Sequence, residues 1–140
     1  MRRFLPLRFA LALALPLPLL AAGCDRERDT EQARALAARA LRGVLAYPQS
    51  TLVSVSAGSD AAELAFSSPA AVADVAQWYR RALTLNGWEM KSDQTGSDGT
   101  VAMYAVQGTR PLWLTLRPNV GGPGSTYTMV GAIIAGDSIK

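Results

Sequence analysis

The sequence predicts an α+β domain: an antiparallel sheet of about five or six strands with a helix packed on one face, preceded by an N-terminal helix. Three features point to it. Two short segments of alternating polarity come first, a strongly amphipathic helical segment with clear end signals follows, and three or four further alternating segments succeed it. Strands grouped on either side of one helix, rather than alternating with helices, imply antiparallel pairing.

The chain has 140 residues, and its first 23 stand apart from this domain. Arg2, Arg3 and Arg8 give a positive start, Phe9 to Leu20 is apolar, and Ala21-Ala22-Gly23 makes a small-residue exit. This is the layout of a secretory signal peptide. A permanent membrane span needs about 20 apolar residues, whereas this run is shorter and carries Pro16 and Pro18. Leu20-Ala21-Ala22-Gly23-Cys24 resembles the lipobox of bacterial lipoproteins, although Ala21 occupies the position where leucine is commonest. The resemblance implies cleavage before Cys24, acylation of its thiol and a membrane anchor, since each buried methylene contributes about 0.8 kcal/mol. It also implies a place in the bacterial cell envelope, facing the periplasm. Asp25 resembles the sorting residue that retains lipoproteins in the inner membrane, which leans the location that way.

Three of the 14 basic residues lie in that leader, so the remaining chain holds 11 basic and 11 acidic residues. A neutral domain lacks the electrostatic footprint of phosphate-backbone binding, and nucleic acid is not an expected partner. Without histidine, and with Cys24 as the single cysteine, histidine-based triads, the usual zinc sites and internal disulfides cannot be built. No metal or other cofactor is expected.

Residues 24–30 are mostly charged and read as a tether. Residues 31–46 read as the N-terminal helix: Ala33, Leu36, Ala37, Ala40, Leu41, Val44 and Leu45 share one face, Asp29 and Gln32 could form a capping box, and Pro48 limits continuation. Its alanine-rich stripe, without an aromatic anchor, favours packing on the domain over lying on a membrane.

The α+β domain is expected over 47–140. Leu52 to Ser56 and Glu63 to Ser67 flank Gly58-Ser59-Asp60 as a hairpin. Ser68 as N-cap and Pro69 in the first turn open a helix that runs to Leu85, before Asn86-Gly87. Val72, Val75, Ala76, Tyr79, Ala82 and Leu83 form its buried face, widened by Trp78 and Leu85. With Gly87 in a left-handed stop, Trp88 can close over Leu83. Glu89 to Asp93, Val101 to Gln107, Leu112 to Arg117 and Thr126 to Ile134 supply the remaining strands, separated by loops at 96–99, 108–111 and 121–124.

Tyr47-Pro48-Gln49-Ser50, Val75-Ala76-Gln77-Trp78-Tyr79-Arg80-Arg81-Ala82-Leu83 and Asn86-Gly87-Trp88 together are similar to a pattern in small uncharacterised envelope lipoproteins. That resemblance implies a fold and no activity.

Catalytic chemistry is thinly provided. Lys91 and Ser92 are neighbours on a strand and point to opposite faces. Asp60 with Glu63, and Asp93 with Asp98, sit at turns, where aspartate organises the backbone. The Asp93 to Asp98 segment lacks the ligand alternation of a calcium loop. Gly121-Gly122-Pro123-Gly124 has neither the lysine nor the following helix of a phosphate loop.

One strand favours recognition. Leu112, Leu114 and Leu116 alternate onto one face while Trp113, Thr115 and Arg117 share the other. If the leucines meet the helix, Trp113, Thr115 and Arg117 form an interaction surface, tryptophan and arginine being enriched at hot spots. The alternative is that the N-terminal helix or a neighbouring strand covers Trp113. The expected function is a non-catalytic protein-interaction or assembly module with a protein partner, not an enzyme. A small-ligand or lipid-binding carrier or sensor is the alternative, and a histidine-free hydrolase comes third.

Overall fold

The computed structural model describes residues 22–134. The expected signal peptide lies outside the described residues apart from its last two positions. The elements are α1 (Ala22–Ala40), β1 (Thr51–Ala57), β2 (Ala61–Ser68), α2 (Val72–Leu85), β3 (Glu89–Thr95), β4 (Val101–Gln107), β5 (Arg110–Pro118) and β6 (Ser125–Ala132). The strands make one antiparallel sheet in the order β1-β2-β6-β5-β4-β3. The expected α+β class is observed.

Both helices cover the same face: α1 lies over β1, β2 and the end of β6, and α2 over β3, β4 and β5. The cause is visible in the register. Phe66, Tyr127, Leu116 and Val101 form one inward row across four strands, and Met129, Leu114 and Met103 form the next. Against them α2 sets Val75, Ala76, Tyr79 and Leu83, all buried. Large side chains thus fill the space between helix and sheet. Phe66 stacks on Tyr127 with centroids 5.1 Å apart, and Tyr127 meets the edge of Tyr79 at 5.6 Å.

The two phenols also hold the connection between α1 and β1. The Tyr79 hydroxyl donates to the Leu45 carbonyl at 3.1 Å, and the Tyr127 hydroxyl accepts from the Tyr47 amide at 3.1 Å. Burial pushes the Tyr79 phenol well above the usual tyrosine range, so it stays a neutral donor.

The helix α1 departs from expectation at both ends. Residues 24–30 are helical rather than an irregular tether, because arginine and glutamate are good helix formers whether or not they are buried. The capping box at Asp29 and Gln32 therefore does not form. The helix stops at Ala40, not Ala46, where Gly43 takes a left-handed conformation at φ 79°. Leu45 leaves the packed stripe and is 56% exposed. The expected packing of this helix is nonetheless present: Ala37, Ala40 and Leu41 are buried on the sheet side.

Two devices seat the C-terminal end of α1. Gly131 lies directly beneath it, where a side chain would meet the Ala40 carbonyl at 2.8 Å. The Arg110 guanidinium donates to the carbonyls of Ala40 at 3.2 Å and Arg42 at 2.7 Å, satisfying helix-end acceptors with a cation, and lies over the Trp88 ring. Gln107 accepts from Arg110 and donates to the Asn86 carbonyl just beyond α2. The β4–β5 turn thereby ties down the C-terminal ends of both helices.

The start of α2 also differs. The helix begins at Val72 after Ala71, and no side chain caps it. Ser68 is instead the last residue of β2, paired with Ser125, and its hydroxyl accepts from the Ala70 amide. Its backbone is committed to the sheet and cannot serve as an N-cap. At the other end Gly87 is left-handed at φ 78°, Trp88 N donates to Leu83 O and Gly87 N to Thr84 O, as expected of this stop. Leu85 does not widen the buried face, being 85% exposed. The expected loop at 108–111 shrinks to a two-residue turn, since Arg110 and Pro111 belong to β5. The strand expected to reach Ile134 ends at Ala132.

Candidate functional site

Among the described residues nothing covers the sheet face opposite the helices, and its composition follows from the same alternation that buries the leucines. Leu112, Leu114 and Leu116 are buried, so Trp113, Thr115 and Arg117 project outward. Trp113 is 44% exposed. The N-terminal helix does not cover it, because α1 lies on the other face; its neighbour is Tyr104, stacked on it with centroids 5.2 Å apart.

Register places the outward residues in rows across the strands. One row reads Glu63, Val130, Trp113 and Tyr104, on β2, β6, β5 and β4. The next reads Ala65, Thr128, Thr115 and Ala102, and the third Ser67, Thr126 and Arg117. Glu63, Thr115, Thr126, Thr128 and Arg117 border a shallow depression of about 320 Å³. Arg117 and Glu63 stand at its opposite corners, with threonine hydroxyls between them. An aromatic platform thus continues into a polar hollow that carries one charge of each sign.

Of the sequence-derived site residues, Trp113, Thr115 and Arg117 are brought together on this face. Cys24 and Asp25 lie in the backbone of the first turns of α1, far along the sequence from the sheet. Sequence reasoning missed Tyr104, Glu63, Thr126 and Thr128 as members of the same surface. Alternation within β4, β2 and β6 gives their facing, yet strand order is needed to bring them beside β5.

A second recess lies outside α2, between that helix and the Leu45 to Tyr47 connection. Leu45, Tyr47, Trp78, Ala82 and Leu85 supply apolar walls of a groove of about 500 Å³. Tyr47 meets the Trp78 ring edge-on at 5.6 Å.

Several residues considered for hydrolysis are bonded to near neighbours. Asp93 accepts a two-pronged pair from Arg80, whose hydrogen bonds hold its carboxyl below the usual carboxylate range. Asp98 accepts from the amide and hydroxyl of Thr100, which lower its pKa and close the β3–β4 turn. The Lys91 ammonium is bonded to Glu89, and Asp60 to the Ser59 hydroxyl. Among the described residues no cluster of acidic, cysteine or histidine side chains has the makings of a metal site.

A family model described as START domain-like matches residues 49–125. The chain belongs to the START domain-like family. No curated protein and no solved structure matches it. The START domain-like region runs from the approach to β1 to the first residue of β6, so Tyr104, Trp113 and Arg117 lie within it. The hollow on the open face, lined in part by Arg117, Thr115 and Tyr127, therefore lies largely on β5 and β6, at and just beyond the C-terminal end of this START domain-like region.

Proposed function

We propose that this is a non-catalytic ligand-binding domain that takes a small zwitterionic amphiphile on its open sheet face. Membership of the START domain-like family favours the ligand- or lipid-binding reading over the assembly module that the sequence put first. The observation that carries the placement is the uncovered Tyr104–Trp113 pair beside a hollow with Arg117 and Glu63 at opposite corners. The aromatic rings and Val130 offer contact to the apolar part. Arg117 suits a phosphate and Glu63 an ammonium, each gaining a charge-assisted hydrogen bond.

Tryptophan fluorescence tests this with monomeric short-chain phosphatidylethanolamine. A saturable change is expected, lost in Trp113→Phe and kept in Trp78→Phe. Arg117→Ala is expected to weaken binding about tenfold, the scale of one lost charged contact. A response that survives Trp113→Phe and vanishes with Trp78→Phe would move the ligand to the α2 groove and defeat the placement.

The domain acts, in this reading, from the envelope: Cys24 is acylated after signal cleavage, Asp25 biases the protein to the inner membrane, and the fold faces the periplasm. Among the described residues no helix is long and apolar enough to cross a membrane. Fractionation of a Cys24→Ser variant should find the protein released from membranes. Retention of the variant in the membrane fraction would contradict lipidation.

A further inference from the structure

The open face carries a third charge besides Arg117 and Glu63. Val101 is buried and pairs with Leu116, so Thr100, one residue earlier, falls opposite Arg117 and points, like it, away from the helices. The Thr100 hydroxyl donates to the Asp98 carboxylate at 2.9 Å, and the Thr100 amide donates to it at 3.0 Å. The row of Ser67, Thr126 and Arg117 therefore ends on the Asp98 carboxylate.

Two glycines keep the β3–β4 turn in that place. A side chain at Gly96 would meet the Asp98 carboxylate at 2.7 Å, so the glycine leaves open the space that the acid occupies. A side chain at Gly99, left-handed at φ 80°, would lie 3.7 Å from the Pro118 ring, which seats the turn against the residue after Arg117.

Asp98 and Arg117 act on each other through their charges. Among the described residues Arg117 closes no ion pair, so its donors are kept for a ligand. With Glu63 at the far corner, the hollow is framed by two negative charges and one positive. At the β3 edge Glu89 and Lys91 bond each other and add no net charge.

We infer that Asp98 sets the charge class of the ligand: beside Arg117 it turns away amphiphiles of net negative charge and reserves the site for those whose phosphate is balanced by an ammonium. The inference rests on the ligand-binding reading for the amphiphile, and on the charge arrangement alone for the role of Asp98. A zwitterion sets its ammonium against Glu63 while its phosphate meets Arg117. An anionic head group has nothing to offer Glu63 and brings its uncompensated charge between two acids. Such a site selects by repelling the wrong ligand as much as by attracting the right one.

Titration of Trp113 fluorescence in the full chain, with monomeric short-chain phosphatidylethanolamine and phosphatidylglycerol of equal chain length, tests it. The ethanolamine lipid is expected to bind several-fold more tightly. Asp98→Asn, which keeps a turn-forming side chain, should tighten the glycerol lipid about threefold, the scale of one exposed charge pair, and the ethanolamine lipid less. Added salt should shrink that gain. If Asp98 merely closed the β3–β4 turn, the variant would bind both lipids more weakly, and circular dichroism melts would show the loss of fold. Inorganic phosphate, followed through the Arg117 Nε–H resonance, gives a reading without lipid: the same variant should bind it about threefold more tightly. Equal affinity of the unmodified chain for both lipids, or no gain in phosphate binding by the variant, overturns the role of Asp98 and leaves the lipid reading standing. Absence of any Trp113-dependent response to either lipid overturns the lipid reading, and the phosphate titration then still decides Asp98.

Discussion

Tyr79→Ala is expected to cost about 3–5 kcal/mol, the range for emptying a buried aromatic site, and thus a large share of a small domain's stability. Tyr79 is 1% exposed, meets the rings of Trp78 and Tyr127, and bonds the Leu45 carbonyl. Tyr79→Phe keeps the ring and should cost only about 1 kcal/mol, the net worth of one hydrogen bond. Urea unfolding separates the two; equal losses would assign the effect to the hydroxyl rather than to packing. The sign with pH is fixed by the raised phenol pKa. Stabilisation by neutral Tyr79 is fully present below the ordinary tyrosine value of about 10 and declines only as the solution becomes more alkaline than that.

Gly131→Val is expected to cost about 3 kcal/mol through overpacking and loss of helix-end hydrogen bonds. A side chain there meets the Leu41 methyl at 2.7 Å and the Ala40 carbonyl at 2.8 Å. The leucine can rotate, but the Ala40 backbone can move only if the end of α1 lifts. That motion would draw the Ala40 and Arg42 carbonyls away from Arg110. Limited trypsin digestion is a direct check, since Arg39 and Arg42 flank the displaced segment and should be cut sooner. Unchanged cleavage, with unchanged unfolding, would show that the contact relaxes at little cost.

How far the sequence could be read depended on whether a signal was local. Alternation in Leu112 to Arg117 gave both the buried leucines and the outward Trp113, Thr115 and Arg117, because facing within a strand needs no knowledge of neighbours. Gly87 and Trp88 gave the end of α2 for the same reason. Ser68 misled because a serine before proline is a good cap in isolation, and only its pairing with Ser125 takes it into the sheet. Gly43 carried the true end of α1 but was outweighed by the apolar spacing that continues to Leu45. Glu63, Thr128 and Tyr104 joined the site only through strand order, a long-range property. Nothing local in the sequence marks the tertiary contacts of Arg80 with Asp93 or of Arg110 with the end of α1, since both depend on which elements lie side by side.

The position of β6 governs when this domain can fold. It is the last described strand, yet it lies between β2 and β5, and among the described strands it alone pairs with both the β1–β2 hairpin and the β3-to-β5 meander. Until residues 125–132 have been delivered, neither part can hydrogen-bond to the other, and Phe66 and Leu116 lack the Tyr127 that joins them. Pairing across so many residues raises contact order and delays closure. Closure of the sheet is therefore expected to come late, when β6 docks between the two parts.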